Sequence, residues 1–172
     1  LETGSTKTAY EPYQGETVSV DWSTKAGTVY GGTIDVATGV LTVTHGYANL
    51  GDGAWSYISS GQTRFQTNLI ASTVKIPSSQ SSVADVICSM YPTVSAINVY
   101  NGTQAVSINT DGKIWIHDTS YGSDVDAFET AMDGVQLVYE LASPQTYQLT
   151  PQEVKTLLGT NNVWADTGNV SV

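Results

Sequence analysis

The chain has 172 residues and 18.3 kDa, which suits one ordinary domain with an appendage and excludes a multidomain enzyme. Six basic residues against 16 acidic ones give a net charge of −10, a field that repels nucleic acid and anionic membrane and offers few cations to phosphates. Charged residues make up only 13%, 18 Ser and 23 Thr tilt the composition toward strands, and no apolar run or basic-then-apolar opening marks a membrane span or a signal peptide.

Leu1-Glu2-Thr3-Gly4-Ser5 has no periodicity and reads as a vector-derived remnant, so residues 1–9 are set aside as remnant and linker. From Gly27 to His45, two β-rich runs flank Ala37-Thr38-Gly39 and predict a hairpin. Ile34 and Val36 alternate with Thr33 and Asp35, and Leu41, Val43 and His45 alternate with Val40, Thr42 and Thr44, so each strand has one core face. Gly31-Gly32 marks a bulge or a close backbone approach. Residues 46–63 are rich in Gly, Ser and Asn, with Asp52-Gly53 as a turn and Trp55, Tyr57 and Ile58 as a short strand whose two rings share a face. Leu69, Ile70, Val74 and Ile76 follow, until Pro77 and a Ser/Gln cluster break the run. Val83, Val86, Ile87 and Met90 stand at helical spacing but are β-branched enough for a strand, so both readings stay open for 83–90. Cys88, the one cysteine, can make no internal disulfide and reads as a small buried hydrophobe.

Ala105 to His117 predicts a second hairpin around Asn109-Thr110-Asp111-Gly112, where Asp-Gly supplies the positive φ of a tight turn. Ser123 with Asp126, the stripe Val125, Phe128 and Met132, and Gly134 as a stop predict a short helix over 124–133. Leu137, Tyr139 and Leu141 alternate with Gln136, Val138 and Glu140 in a strand that ends at Pro144. Thr150 as N-cap, Pro151 at the first position, Glu153 closing a capping box and Gly159 as stop predict a second helix over 151–158, with Val154, Leu157 and Leu158 as its apolar face. A turn-rich link containing Trp164, read as a packing anchor, leads into a last strand over 169–172, and the abrupt end suggests a fragment of a longer chain.

Asp118, Asp124, Asp126, Glu129 and Asp133 cluster in sequence, as a two-carboxylate hydrolase site would. Helix capping and solvation explain them better, and their spacing does not match a calcium loop. His45 and His117 end the two recognised strands, and Asp118 next to His117 makes an acid/base pair conceivable, but no nucleophile elbow or zinc motif accompanies them. The reading is therefore no catalytic residue, no metal and no cofactor. Trp115 alternates with Ile114 and Ile116, so Lys113, Trp115 and His117 share the face away from the core unless both faces are buried. Trp55, Tyr57, Trp115 and His117 are the expected ligand-binding residues, since flat rings suit neutral sugars. Trp22 and Tyr121 also lie outside the apolar periodicities.

The strings VYGGTIDVATGVLTV (29–43), GVQLVYELASPQTYQLTPQEVKTLLGTNNVWADTG (134–168) and YEPYQG (10–15) resemble a module of tail-associated minor structural proteins of phages and prophages of Gram-positive, often gut, bacteria. The resemblance runs from about Tyr10 to Val172. It implies a virion tail component near the host-facing end, such as a fibre or baseplate appendage, homotrimeric in its parent protein, flanked by neighbouring tail proteins and contacting a bacterial surface glycan. It carries over no catalytic or ligand residue. Together the observations predict a mainly β chain, a two-sheet β-sandwich of jelly-roll type over 10–143, with one short helix, and an appended C-terminal helix and terminal strand over 144–172. The expected function is adhesive and structural. A purely structural assembly or trimerisation module without ligand, and a glycan hydrolase, are the alternatives.

Overall fold

The computed structural model describes residues 18–20, 27–59, 63–79, 85–95, 102–160, 164–166 and 169–171. Residues 1–17, Trp22 and 80–84 lie outside that set, and with them the expected vector remnant and part of the 83–90 segment. The chain is mainly β, with antiparallel ladders and, among the described residues, two α-helices. The strands of the first half are β1 (Val18–Val20), β2 (Gly27–Val29), β3 (Gly32–Asp35), β4 (Val40–Asn49), β5 (Ser56–Ser59) and β6 (Thr63–Thr67). Then come β7 (Val86–Cys88), β8 (Gln104–Ile108), β9 (Ile114–Asp118), α1 (Val125–Ala131), β10 (Gln136–Gln148), α2 (Pro151–Thr160), β11 (Trp164–Asp166) and β12 (Asn169–Ser171).

A six-stranded sheet has the order β11-β12-β3-β4-β10-β7, a four-stranded sheet has the order β5-β6-β9-β8, and β1 pairs with β2. The chain shuttles between the two larger sheets: β3 and β4 in the first, β5 and β6 in the second, β7 in the first, β8 and β9 in the second, β10 in the first. One apolar cluster draws on both, with Ile34, Leu41 and Leu137 from the larger sheet, Phe65, Val106 and Ile116 from the smaller, Phe128 from α1 and Leu157 from α2.

Both hairpins form where their turn residues stand. Asp35 Oδ1 accepts from the amides of Ala37 at 2.9 Å and Thr38 at 3.2 Å, and Asp35 pairs with Val40. Bonding to Thr38 first, and then to Ala37, holds the Asp35 carboxyl below its ordinary value. In the second turn Gly112 adopts φ 79°, a conformation that a Cβ would strain. Val36 falls in the first turn and is exposed, because the chain has already left the strand there.

The ambiguity over 83–90 resolves to a strand at Val86–Cys88, the edge partner of β10, in which Cys88 is half-buried and not wholly interior. β10 runs through Pro144 instead of ending there. Its register against β4 shifts between Glu140 and Gln145, so the proline sits where the ladder asks for no amide hydrogen. β10 thus crosses the expected 143/144 boundary, and β12 adds to the same sheet beside β3.

Asp124, not Ser123, caps α1: its Oδ1 accepts from the Ala127 amide at 3.0 Å, which shortens the helix at its start. The capping box of α2 forms as the sequence predicts. The Thr150 amide donates to Glu153 Oε2 at 2.7 Å, and the Glu153 amide donates to Thr150 Oγ1 at 3.3 Å. α2 continues through Gly159 to Thr160, since glycine permits a stop without enforcing one. Val154 and Leu157 are buried, while the side chains of Leu158 and Trp164 lie outside the described residues.

Candidate functional site

The structure separates the four residues that the sequence groups as a ligand site. In the smaller sheet, Tyr57, Phe65, Ile116 and Val106 form one cross-strand row, and the last three are fully buried. Tyr57 therefore lies on the core face, its ring centroid 5.7 Å from that of Phe65. Trp55 joins the same side and is 7% exposed. Its Nε1 donates to the Leu50 carbonyl at 3.0 Å, and its ring meets Phe128 edge-on at 5.0 Å. Phe128 in turn stacks on Phe65 at 3.9 Å and takes the edge of Tyr121 at 5.5 Å. Trp55 is thus a core residue: the pattern of residues 46–63 gave no view of the helix that covers it.

Trp115 and His117 occupy the opposite face of that sheet, as their alternation with Ile114 and Ile116 predicts. That face is covered too. His117 is 4% exposed, its Nε2 donating to the Gly102 carbonyl at 3.0 Å, and Ala105 and Ser107 beside it are buried. Arg64, the sole arginine of the sequence, lies over the half-buried Trp115 ring at 5.1 Å and pairs in register with His117. The expectation of a wet aromatic face fails at His117, because this second face is covered at Arg64, Ala105, Ser107 and His117 and half-covered at Trp115, an arrangement that period-two alternation alone cannot reveal.

Of the clustered acidic residues, Asp118, Glu129 and the α1 cap Asp124 are occupied in holding the fold. Asp118 is 1% exposed. Its Oδ2 accepts from Tyr91 Oη and Gln104 Nε2, each at 3.1 Å, and its Oδ1 accepts from the Ser120 amide at 2.9 Å. Burial, and then the Asp118 charge, push the Tyr91 phenol above its ordinary range. Successive strand residues face opposite ways, so Asp118 and His117 do not form an acid/base pair. Glu129 Oε1 accepts the Trp55 amide at 2.8 Å. Among the described residues no group of three or more His, Cys, Asp or Glu side chains is arranged to hold a metal ion.

The exposed aromatic surface lies instead on the outer face of the larger sheet. Register places Tyr47 of β4, Val138 of β10 and Ile87 of β7 side by side in one row. The neighbouring residues Leu137, Ala48, Tyr139 and Val86 point into the core, so this row faces away from it. Tyr47 is 37% exposed and Ile87 70%. Tyr30 stacks on Tyr47, with centroids 4.7 Å apart and planes 9° from parallel. The result is a stripe of two tyrosines, a valine and an isoleucine across three strands.

Polar rows flank it. On one side Gln136 pairs with Asn49, and on the other Glu140 pairs with His45. His45 Nε2 lies 3.6 Å from Asp85 Oδ2, its Nδ1 lies 2.9 Å from Thr44 Oγ1, and Lys75 Nζ meets Glu140 Oε1 at 2.6 Å. A Cβ on Gly31 would come within 2.6 Å of His45 Nδ1, so the close approach expected at Gly31-Gly32 packs the backbone onto this imidazole. Sequence reasoning missed Tyr47 because it broke the strand at Gly46, whereas β4 continues to Asn49, and it placed Tyr30 in the first hairpin run without giving it a face. Val138, an apolar residue on the polar phase of the clearest strand, was the available signal. Compared with family models, with curated proteins and with solved structures, this chain finds no match.

Proposed function

We propose that this chain is a structural and adhesive module of a phage tail appendage, homotrimeric in its parent protein, seated among neighbouring tail proteins, and engaging an uncharged bacterial surface glycan. One observation carries the glycan part of the reading: the stripe of exposed Tyr47 and Ile87 with half-buried Tyr30 and Val138, rimmed by hydrogen-bonding side chains. Contiguous apolar surface with a polar rim is what soluble proteins keep for binding. The strings that resemble phage tail proteins support the setting. An aromatic contact contributes about 1 kcal/mol per ring, so a single module binds weakly and useful attachment depends on several copies.

The same reading takes the fold as a two-sheet sandwich wound in the jelly-roll manner. Its support is the nested order of the ladders, β4 with β10 in one sheet and β6 with β9 in the other, together with the apolar cluster common to both sheets.

The test is attachment of microspheres coated with the chain to cells of a panel of Gram-positive bacteria. Attachment to some strains that is displaced by their soluble wall polysaccharide supports the reading. Microspheres that attach to none, from a protein that self-associates as a trimer, support the purely structural alternative.

A further inference from the structure

We infer that the ligand is an extended, uncharged oligosaccharide segment lying across the strands of the larger sheet and resting on two contact points, the Tyr30–Tyr47 pair and Ile87. This rests on the adhesive reading and adds the ligand's orientation and minimum length. Adjacent strands are about 4.8 Å apart. Tyr47, Val138 and Ile87 are register neighbours on three successive strands, which sets Ile87 about 10 Å from Tyr47. One sugar ring stacked on a tyrosine does not reach Ile87, but a chain of rings running perpendicular to the strands passes over Val138 and covers it.

The width of the stripe agrees. Flanking residues of the same face lie two positions along each strand, about 7 Å away, and these are Asn49 and Gln136 on one side and His45 and Glu140 on the other. The apolar floor is therefore one ring wide and several rings long, with polar groups along both margins. Those margins set the charge of the occupant. Asp85 offers exposed carboxylate oxygens that accept from hydroxyls, Glu140 is held by Lys75, and the chain's net charge of −10 repels phosphate- or uronate-bearing polymers. A second copy of this chain meets the same repulsion, so it is the poorer occupant.

The experiment titrates the full chain with fluorescently labelled gluco-, galacto-, manno- and N-acetylglucosamine oligosaccharides of one to six rings, alongside an anionic teichoic-acid oligomer. In any series that binds, affinity rises about tenfold from one ring to three. Ile87→Ser, at an exposed position, removes most of that rise while leaving the melting temperature unchanged. Tyr47→Ala lowers affinity at every length. Length-independent binding, indifference to Ile87→Ser, or preference for the anionic oligomer overturns the inference and leaves the adhesive reading standing. A dimer that Ile87→Ser converts to monomer also overturns it by giving the stripe to a second copy. Failure of every series and of the anionic oligomer to bind contradicts the adhesive reading itself.

Discussion

Phe128 joins α1 to the smaller sheet, and its removal measures how far the short helix belongs to the core. The side chain is fully buried, stacks on Phe65 at 3.9 Å and takes the edges of Trp55 at 5.0 Å and Tyr121 at 5.5 Å. Burial lost plus the cavity left makes a Phe-to-Ala change in such a site cost about 3–5 kcal/mol. Aromatic contacts of about 0.5–1.5 kcal/mol each beyond area push Phe128→Ala toward the upper end. With a urea dependence of about 2 kcal/mol per molar, the unfolding midpoint falls by about 2 M. Phe128→Leu, which keeps most of the volume, costs about 1.5 kcal/mol and isolates the aromatic part. Urea unfolding followed by tryptophan fluorescence reads both variants, because Trp55 touches the ring. A loss under about 1 kcal/mol for Phe128→Ala refutes the reasoning, since it means the helix packs too loosely to share the core.

Three further outcomes follow from other parts of the molecule. Thr150→Ala removes the hydroxyl that accepts from the Glu153 amide and costs about 1 kcal/mol in urea unfolding, with α2 the first element to lose amide-exchange protection. Trp55→Phe keeps a ring against Phe128 but leaves the Leu50 carbonyl without its 3.0 Å donor, at a cost of about 1 kcal/mol by the same assay. The raised Tyr91 phenol stabilises the fold fully below its unfolded-state value of 10.0. That contribution is lost as pH rises from there toward the folded-state value, because the unfolded chain releases the proton first. A plot of stability against pH therefore slopes downward above pH 10, and Tyr91→Phe makes the slope shallower.

Local chemistry was legible wherever a turn or cap is decided by neighbours in sequence. Asp35 with Gly39, Asn109 with Gly112, and Thr150 with Glu153 all make the bonds that their spacing predicts. The alternation of Leu137, Tyr139 and Leu141 likewise gives the core face of β10. What sequence could not supply is which sheet face stays open, because that depends on elements distant along the chain. α1 arrives from 70 residues away to cover Trp55, its Glu129 bonding the Trp55 amide across a separation of 74. Trp115 and His117 alternate correctly yet lie on a face that is also covered. Conversely, Tyr47 stands in Gly-rich sequence that reads as loop, Tyr30 stands in a hairpin run beside Gly31-Gly32, and only the register of β4, β10 and β7 brings Tyr47 beside Val138 and Ile87.

Adhesion is proposed for the outer face of the larger sheet, and not for the buried His117 and half-buried Trp115. A glycan array probed with multivalent wild type and multivalent Tyr47→Ala tests it most directly, with the melting temperature of each measured on the same preparations. Signals confined to uncharged glycans are expected for the wild type, with their loss in Tyr47→Ala at a nearly unchanged melting temperature, since the ring is 37% exposed and its removal opens no large cavity. Undiminished glycan signal from Tyr47→Ala would contradict it.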